Sequence, residues 1–275
     1  MKRAFFYILL ITFTSGCGCN NSDNSSSQEE DKNTTTATDA PAVLNYTVLN
    51  AFPHDTGSFT EGLLVHNGQL YESTGSPDAP KTNGSWLGIV NLKTGKADKK
   101  VLLDKQYFGE GISIFNGKIY QLTWQNHTGF VYDATTYKKL QEFSYPGEGW
   151  ALTHDSTYLI MSDGTNRLQY LDPATLRVIK IVSAEDNYGP ISNINELEYI
   201  NGYIYANQWE TNYILKIDPE SGKVVAKADL GNLAAGAKNK FSGAAEMNGI
   251  AYDKATGKIY VTGKCWPELY EIRFN

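Results

Sequence analysis

Cysteine and histidine are scarce in this chain of 275 residues, which contains three cysteines and four histidines. Cys17 and Cys19 lie together near the N-terminus, which leaves Cys265 without an evident disulfide partner in the rest of the chain. The histidines are scattered and lack the spacing of a metal site. The sequence therefore argues against a disulfide-stapled scaffold, a zinc site and a Cys–His catalytic pair. We expect Cys265 to be a small, buried apolar side chain.

Positive charge and phosphate-binding motifs are also sparse. Lysine and arginine total 24 against 30 aspartates and glutamates, and the resulting net charge of -6 gives no electrostatic support for nucleic-acid binding. The chain contains neither a glycine-rich phosphate loop nor a Gly-x-Ser-x-Gly nucleophile elbow. Any chemistry must therefore use carboxylate, amide, indole and ammonium groups.

Long hydrophobic runs are missing as well. The apolar stretch AFFYILLITFT at residues 4–14 is too short to cross a bilayer. It follows Lys2 and Arg3 and ends in small residues before Cys17, as in a bacterial lipoprotein processing site. The pattern predicts a lipoprotein signal peptide over residues 1–17 and a lipid anchor on Cys17. Ordinary secretion with cleavage nearby is the alternative.

A polar segment rich in Ser, Thr and Asn follows at residues 18–42 and shows no apolar periodicity. Such composition is typical of a disordered tether. Its acidic SQEEDK stretch is open to two interpretations, a solvated linker or a sorting signal for the outer surface. The expected location is the bacterial cell envelope, lipid-anchored and facing either the periplasm or the cell surface.

The rest of the chain repeats one β-hairpin five times. Each copy has a short strand, a turn and a second strand, and three of the turns are Asn-Gly, the strongest short-range hairpin signal. The copies are FTEGLLVHNGQLYESTG (59–75), FGEGISIFNGKIYQLTW (108–124), PGEGWALTHDSTYLIMSDG (146–164), INELEYINGYIYANQW (194–209) and MNGIAYDKATGKIYVTGK (247–264). Further strand-like runs lie between them, so that each repeat of about 47 residues holds four strands.

Four strands per repeat at this period predict an all-β, five-bladed β-propeller over residues 43–275. The C-terminal LYEIRFN (269–275) supplies only one outer strand for the last blade. We expect LNYTVLNAFP (44–53) to complete that blade, because pairing the two ends removes free sheet edges. A closed propeller of this kind is expected to be a monomer.

One polar position recurs at the start of the hairpins. Aligning the copies on their turns places Glu61, Glu110, Glu148, Asn195 and Asn248 in one column. Two interpretations are open: polar residues that satisfy loop backbone, or groups that converge on one face of the channel. Three carboxylates in a narrow channel would repel one another and raise at least one pKa, as suits a proton carrier or a metal ligand.

Aromatic residues accompany this column. Trp124 and Trp209 end the second strand of their hairpins, and Trp150 follows Glu148 closely. Each tryptophan is consistent with packing between blades. Together with Lys264, the three also fit an aromatic-walled pocket for a small polar group.

Long motifs in the chain resemble the plant-type (type I) glutaminyl-peptide cyclotransferases, which also occur in bacteria. The resemblance runs from about Phe59 to Ile272 and is carried by FGEGI…YQLTW, GEGWALT…LIMSDG, NELEYINGYIYANQW and NGIAYD…YVTGK.WPELYEI. It implies a five-bladed β-propeller that converts N-terminal glutaminyl residues of peptides or proteins to pyroglutamyl, releasing ammonia. It also implies that no catalytic zinc or other cofactor is required, although a structural divalent ion in the channel is compatible with it.

The resemblance assigns roles to individual residues. It implies that Glu110 is the general acid/base and that Asn195 and Lys264 hold polar groups of the substrate. The remaining substrate-binding residues that it implies are Phe59, Glu61, Phe108, Trp124, Trp150 and Trp209. Glu61 departs from the family, which usually has glutamine there, so its carboxylate could instead bind the substrate α-amine.

Two other functions remain open on the sequence. One is a non-catalytic lipoprotein propeller that binds peptides or proteins, for which Glu61 in place of glutamine is the best support. The other is a metal-dependent hydrolase of the lactonase type that uses the carboxylate column as a calcium site.

Overall fold

The computed structural model describes residues 40–77 and 82–275. The predicted signal peptide and residues 18–39 of the predicted tether lie outside the described residues. The first strand, β1 (Ala42–Val43), begins at the last residue of the predicted tether. No helix within 40–77 and 82–275 is long and apolar enough to span a membrane.

Five four-stranded antiparallel sheets form the blades of a propeller. The second strand of the chain is β2 (Tyr46–Pro53). Blade 1 contains β3 (Phe59–His66), β4 (Gln69–Gly75), β5 (Trp86–Val90) and β6 (Ala97–Leu102). Blade 2 contains β7 (Gly109–Phe115), β8 (Lys118–Thr123), β9 (Thr128–Asp133) and β10 (Lys139–Ser144). Blade 3 contains β11 (Ala151–His154), β12 (Leu159–Ser162), β13 (Arg167–Leu171) and β14 (Val178–Ser183).

Blade 4 follows a small hairpin of β15 (Glu185–Asp186) and β16 (Gly189–Pro190). It contains β17 (Ile194–Ile200), β18 (Tyr203–Gln208), β19 (Tyr213–Ile217) and β20 (Val224–Asp229), to whose outer edge β1 adds in parallel. Helix α1 (Gly231–Lys240) leads to blade 5, which contains β21 (Met247–Asp253), β22 (Lys258–Gly263), β23 (Glu268–Phe274) and β2. The innermost strands β3, β7, β11, β17 and β21 contact one another in a closed ring.

The predicted closure of the propeller is confirmed. β2 pairs antiparallel with β23, from Tyr46 opposite Phe274 to Pro53 opposite Glu268. The last blade is therefore built from both ends of the described chain, which removes the edges that an open ring would expose.

The Asn-Gly turns explain why the hairpins form where they do. Asn67, Asn116 and Asn201 have φ values of 51°, 51° and 48°, and each following glycine also has a positive φ. Two consecutive residues in this region define the type I′ turn, whose twist matches that of paired strands. The hairpin prediction is confirmed at these three turns.

A β-bulge interrupts the innermost strand in four of the five blades. The register shifts beside Glu61 in β3, Glu110 in β7, Asn195 in β17 and Asn248 in β21. A bulge leaves a residue unpaired and re-aims its side chain, which gives the recurring polar position a structural cause.

Blade 3 is the exception to this pattern. Its innermost strand has a continuous register and begins at Ala151, directly after Trp150. Glu148 lies in the preceding loop, so the predicted alignment of Glu148 with the other column residues is wrong. Because β11 has no bulge, blade 3 contributes Trp150, the residue directly before the strand, to a cavity instead of a polar residue.

The inner strands also present unpaired backbone N–H groups to the channel, because each is the edge of its own sheet. Glu196 of blade 4 satisfies two of them, accepting from Leu63 N at 3.2 Å and Ile250 N at 2.9 Å. Glu198 accepts from Tyr252 N at 2.9 Å. These carboxyl groups therefore connect blade 4 to blades 5 and 1.

Candidate active site

A cavity of about 250 Å³ gathers all nine residues that the sequence analysis assigned to a site. They come from the starts of innermost strands, the ends of second strands and the loops beside them. The described residues that line the cavity are Phe59, Glu61, Pro77, Phe108, Glu110, Trp124, Trp150, Asn195, Trp209, Glu246 and Lys264.

The floor of the cavity is polar and buried. Glu61, Glu110, Asn195 and Lys264 are 2%, 4%, 3% and 6% exposed. Three of the four stand at β-bulges of innermost strands, and Lys264 follows β22. The bulges therefore bring polar groups from separate blades to one place.

Glu61 and Lys264 form an ion pair on this floor. Lys264 Nζ lies 2.8 Å from Glu61 Oε1, and Asn248 Nδ2 donates to Glu61 Oε2 at 3.1 Å. Lys264 Nζ also lies 4.7 Å from the centre of the Phe59 ring, a cation–π geometry. Both carboxylate oxygens of Glu61 are thus engaged within the protein.

Glu110 differs because its carboxyl oxygens hydrogen-bond to none of the described residues and face the cavity. Its backbone is fixed instead, since Ser73 Oγ donates to Glu110 O at 2.5 Å and Gln121 Nε2 donates to Ser73 Oγ at 2.9 Å. A firmly anchored main chain with an unengaged carboxyl group leaves that group available to a ligand.

Burial and mutual repulsion determine the charges on the floor. Burial, and then the negative charge of Glu61, raise the pKa of Glu110 well above its usual range. Burial also raises the pKa of Glu61 to about 7, although Lys264 opposes the shift. Burial lowers the pKa of Lys264, but Glu61 and Glu110 outweigh it and the net pKa is raised. The directions of these shifts favour the protonated form of Glu110 and the charged form of Lys264.

Aromatic rings form the walls. Phe108 lies between Phe59 and Trp124, with ring centroids 6.0 Å and 5.6 Å away. Trp150 and Trp209 pack edge to face at 5.5 Å. Tryptophan and phenylalanine exclude water and strengthen electrostatic interactions on the floor beneath them.

Two glycines make room for these rings. A Cβ atom at Gly75 would lie 2.0 Å from the Phe108 ring, and one at Gly164 would lie 2.5 Å from the Trp150 ring. Gly164 also has a φ of 77°, which favours glycine. The walls therefore depend on glycines at the end of β4 in blade 1 and two residues after β12 in blade 3.

Glu148 lies beside the walls, outside the set that lines the cavity. Its Oε2 accepts from Trp124 Nε1 at 2.7 Å and from Trp150 Nε1 at 2.8 Å, and Gln125 Nε2 donates to Oε1 at 2.9 Å. Burial raises its pKa, but these hydrogen bonds outweigh that effect and the net pKa is lowered. Glu148 is thus an anionic anchor that orients two indoles.

Asn195 carries an orphaned polar atom. Its Oδ1 is buried and has no hydrogen-bond partner among residues 40–77 and 82–275. Native proteins seldom leave such an atom unpaired, so it is available to accept a hydrogen bond from a ligand in the cavity.

Two lining residues, Pro77 and Glu246, were not predicted from the sequence. The main chain of Glu246 is held beside that of Lys264, because Lys264 N donates to Glu246 O at 2.8 Å. The only sequence signal for Glu246 is its place just before β21, across the hairpin from Lys264.

The described residues were also compared with the requirements of a metal site. Within the described ranges, no group of three or more His, Cys, Asp or Glu side chains is arranged to hold a metal ion. Cys265 is fully buried, as expected, and is a free thiol. A structural divalent ion in the channel stays a prediction.

Comparisons with known proteins agree on one family. The sequence profile described as glutamine cyclotransferase matches residues 21–274. The chain is 37% identical over 231 residues to a glutaminyl-peptide cyclotransferase of Arabidopsis thaliana, covering 83% of this chain and 71% of that protein. The crystal structure of Myxococcus xanthus glutaminyl cyclase superposes with a TM-score of 0.78 at 32% identity, covering 86% of this chain and 98% of that one. The chain therefore belongs to the glutamine cyclotransferase family.

Proposed function

We propose that this protein is a glutaminyl-peptide cyclotransferase. In the proposed reaction, the α-amine of an N-terminal glutaminyl residue attacks its own side-chain carboxamide carbon. A carbon–nitrogen bond forms to the α-nitrogen, the bond to the amide nitrogen breaks, and pyroglutamyl peptide and ammonia are the products. The observation that carries this proposal is the buried carboxyl group of Glu110, which hydrogen-bonds to none of the described residues and faces an aromatic-walled cavity.

Binding would use the aromatic walls. The glutaminyl side chain is uncharged, so apolar walls such as Trp124, Trp150 and Trp209 can hold it while excluding water. Ring closure joins two parts of one molecule, and the main task of the cavity is to hold the amine near the carboxamide carbon.

Glu110 would move the proton. Because burial and Glu61 raise its pKa, Glu110 starts with a proton and can donate it to the leaving nitrogen. The ionised Glu110 then accepts the proton that the attacking amine releases, which restores its protonated carboxyl group. General acid–base catalysis of this kind contributes about 10²–10⁴-fold.

Lys264 and Asn195 would stabilise charge that develops on the carboxamide oxygen. Lys264 Nζ and Asn195 Nδ2 are donors on the cavity floor, and a single such donor can be worth about 3 kcal/mol. The orphaned Oδ1 of Asn195 would accept from the substrate amine and orient its lone pair. Both ends of the Asn195 amide would therefore contact substrate.

Glu61 would act through Lys264. Both of its oxygens are already engaged, by Lys264 and by Asn248, so direct capture of the substrate amine would require breaking one of these contacts. We therefore favour a role in which Glu61 positions the Lys264 ammonium beside the substrate and tunes the charge on Glu110.

The proposed reaction is an acyl transfer within one substrate molecule, and every step uses side chains of the chain itself. The proposal therefore includes no catalytic metal. We also propose a monomer, anchored in the bacterial cell envelope through a lipid on Cys17. The support is the charged, apolar and small-residue pattern over residues 1–17. Loss of fatty-acid labelling in a Cys17→Ala variant would test the anchor.

Ammonia release from the dipeptide Gln-Ala tests the proposed function. We expect ammonia from Gln-Ala and none from Ala-Gln, in which glutamine is not N-terminal, and we expect EDTA to leave the rate unchanged. Binding of Gln-Ala without ammonia release would instead indicate a peptide-binding propeller. Loss of all activity in EDTA would favour a metal-dependent enzyme.

A further inference from the structure

The cavity lining divides into a buried floor and a partly exposed rim. The rim residues are Phe59, Pro77, Phe108, Trp124, Trp150, Trp209 and Glu246. Glu246 is the only one of these described residues that carries a charge. A lone carboxylate among rings and a proline is not needed to hold an uncharged glutaminyl side chain.

The backbone holds Glu246 in place. Lys264 N donates to Glu246 O and Ala245 N donates to Lys264 O, both at 2.8 Å. Trp266, fully buried, adds a hydrogen bond from Nε1 to Ala245 O at 2.9 Å. These contacts fix the main chain at residues 245 and 246 as an extension of the β21–β22 hairpin. The Glu246 side chain is therefore attached to a well-held main chain.

The Glu246 carboxylate has no direct ion-pair partner among the described residues, although it interacts electrostatically with the Lys264 ammonium at longer range. Within residues 40–77 and 82–275 it makes no ion pair and no side-chain hydrogen bond, while the nearby ammonium of Lys264 is paired with Glu61. Because Lys264 is ion-paired with Glu61, the rim carboxylate of Glu246 has no ion-pair partner among the described residues.

We propose that Glu246 forms a subsite for a basic side chain on the residue that follows the N-terminal glutamine. This inference rests on the proposed function, because it assumes that the glutaminyl group occupies the floor. The second residue of the peptide must then leave through the open side, where the rim lies. A lysine or arginine side chain there would meet the unpaired carboxylate.

The α-amine is a poorer partner for Glu246 than a basic side chain. Attack requires a neutral amine, and a carboxylate that stabilised its ammonium form would slow the reaction. The α-amine also belongs to the residue whose side chain occupies the floor, close to Glu110 and Asn195.

Competition between charged substrates tests the subsite. The measured quantity is the ratio of kcat/KM for Gln-Lys-Ala to kcat/KM for Gln-Glu-Ala, with Gln-Ala as the neutral reference. We expect a ratio of about ten or more at low salt, falling toward one at high salt because a partly exposed pair is screened. Glu246→Gln should reduce the low-salt ratio several-fold, and Glu246→Lys should invert the preference.

The matched control is Glu185→Gln, which removes the same charge at an exposed site on β15 and should leave the ratio unchanged. A wild-type ratio near one, independent of salt, would overturn the inference even if both Glu246 variants failed to fold. An equal fall in kcat/KM for all three substrates in Glu246→Gln would also overturn it, by pointing to the common α-amine. Absence of ammonia from Gln-Ala would instead defeat the proposed function.

Discussion

Glu110 in blade 2 and Glu196 in blade 4 occupy similar places and have different environments. Both stand at a bulge of an innermost strand, both are buried, and burial raises both pKa values well above the usual range. The Glu196 carboxyl group accepts hydrogen bonds from backbone N–H groups of two other blades, whereas the Glu110 carboxyl group hydrogen-bonds to none of the described residues and faces the cavity. A raised pKa therefore does not identify a catalytic carboxyl group, while its hydrogen-bond partners distinguish the two roles.

The largest expected effect comes from Glu110→Gln. This variant keeps the size of the side chain and removes the proton that it carries, so ammonia release from Gln-Ala should fall by about 10²–10⁴-fold. The melting temperature should stay the same or rise, because a carboxyl group is removed from beside Glu61. A variant that retains more than a tenth of the activity would contradict the role of Glu110.

Glu196→Gln should have the opposite effect, with reduced stability and unchanged activity of the folded protein. Its amide keeps one acceptor oxygen, so either Leu63 N or Ile250 N loses its partner, at a cost of about 1–3 kcal/mol in the free energy of unfolding. Urea denaturation measures this loss, and the folded fraction should retain its kcat. Unchanged stability with lost activity would erase the distinction between the two glutamates.

A smaller effect on activity is expected at Glu148. Glu148→Ala removes the acceptor that orients Trp124 and Trp150, and we expect kcat/KM for Gln-Ala to fall about tenfold, because misplaced walls hold the substrate less well. Glu148→Gln keeps one acceptor oxygen and serves as the matched control with a milder loss. Equal activity in Glu148→Ala and wild type would show that the indoles need no such anchor.

The smallest effect is a shift of the pH profile in Glu61→Gln. The negative charge of Glu61 raises the pKa of Glu110, so replacing it with a neutral amide should lower that pKa. Since the proposed reaction needs the proton on Glu110, kcat/KM should then decline at a lower pH than in wild type. The pH dependence of kcat/KM measures the shift, and movement toward higher pH would refute the coupling.

The sequence was sufficient to predict the repeat, the closure by β2 and nine of the eleven described residues that line the cavity. Asn-Gly turns and alternating apolar residues are local signals. Because the hairpin recurs five times, the repeat can be recognised even where one copy lacks a signal. The resemblance then added the positions of individual site residues, such as Phe59 and Phe108, which no periodicity indicates.

The sequence did not reveal how the carboxyl groups are partnered. Glu148 shares its Gly-Glu-Gly context with Glu110, yet β11 has no bulge and Glu148 lies in a loop beneath two indoles. The Glu61–Lys264 pair and the partly exposed position of Glu246 depend on contacts between blades 1 and 5 and on the loop after α1. Such contacts are set by the folded ring and leave no local pattern.

Infrared difference spectroscopy on the substrate-free protein at pH 7 tests the central claim most directly, because it detects the carbonyl stretch of a protonated carboxyl group. The difference between wild type and Glu110→Gln isolates the band that belongs to residue 110. We predict a protonated carboxyl band in wild type that is lost in the variant. A carboxylate band in its place would show that Glu110 is ionised in the empty cavity and would contradict the proposed proton transfer.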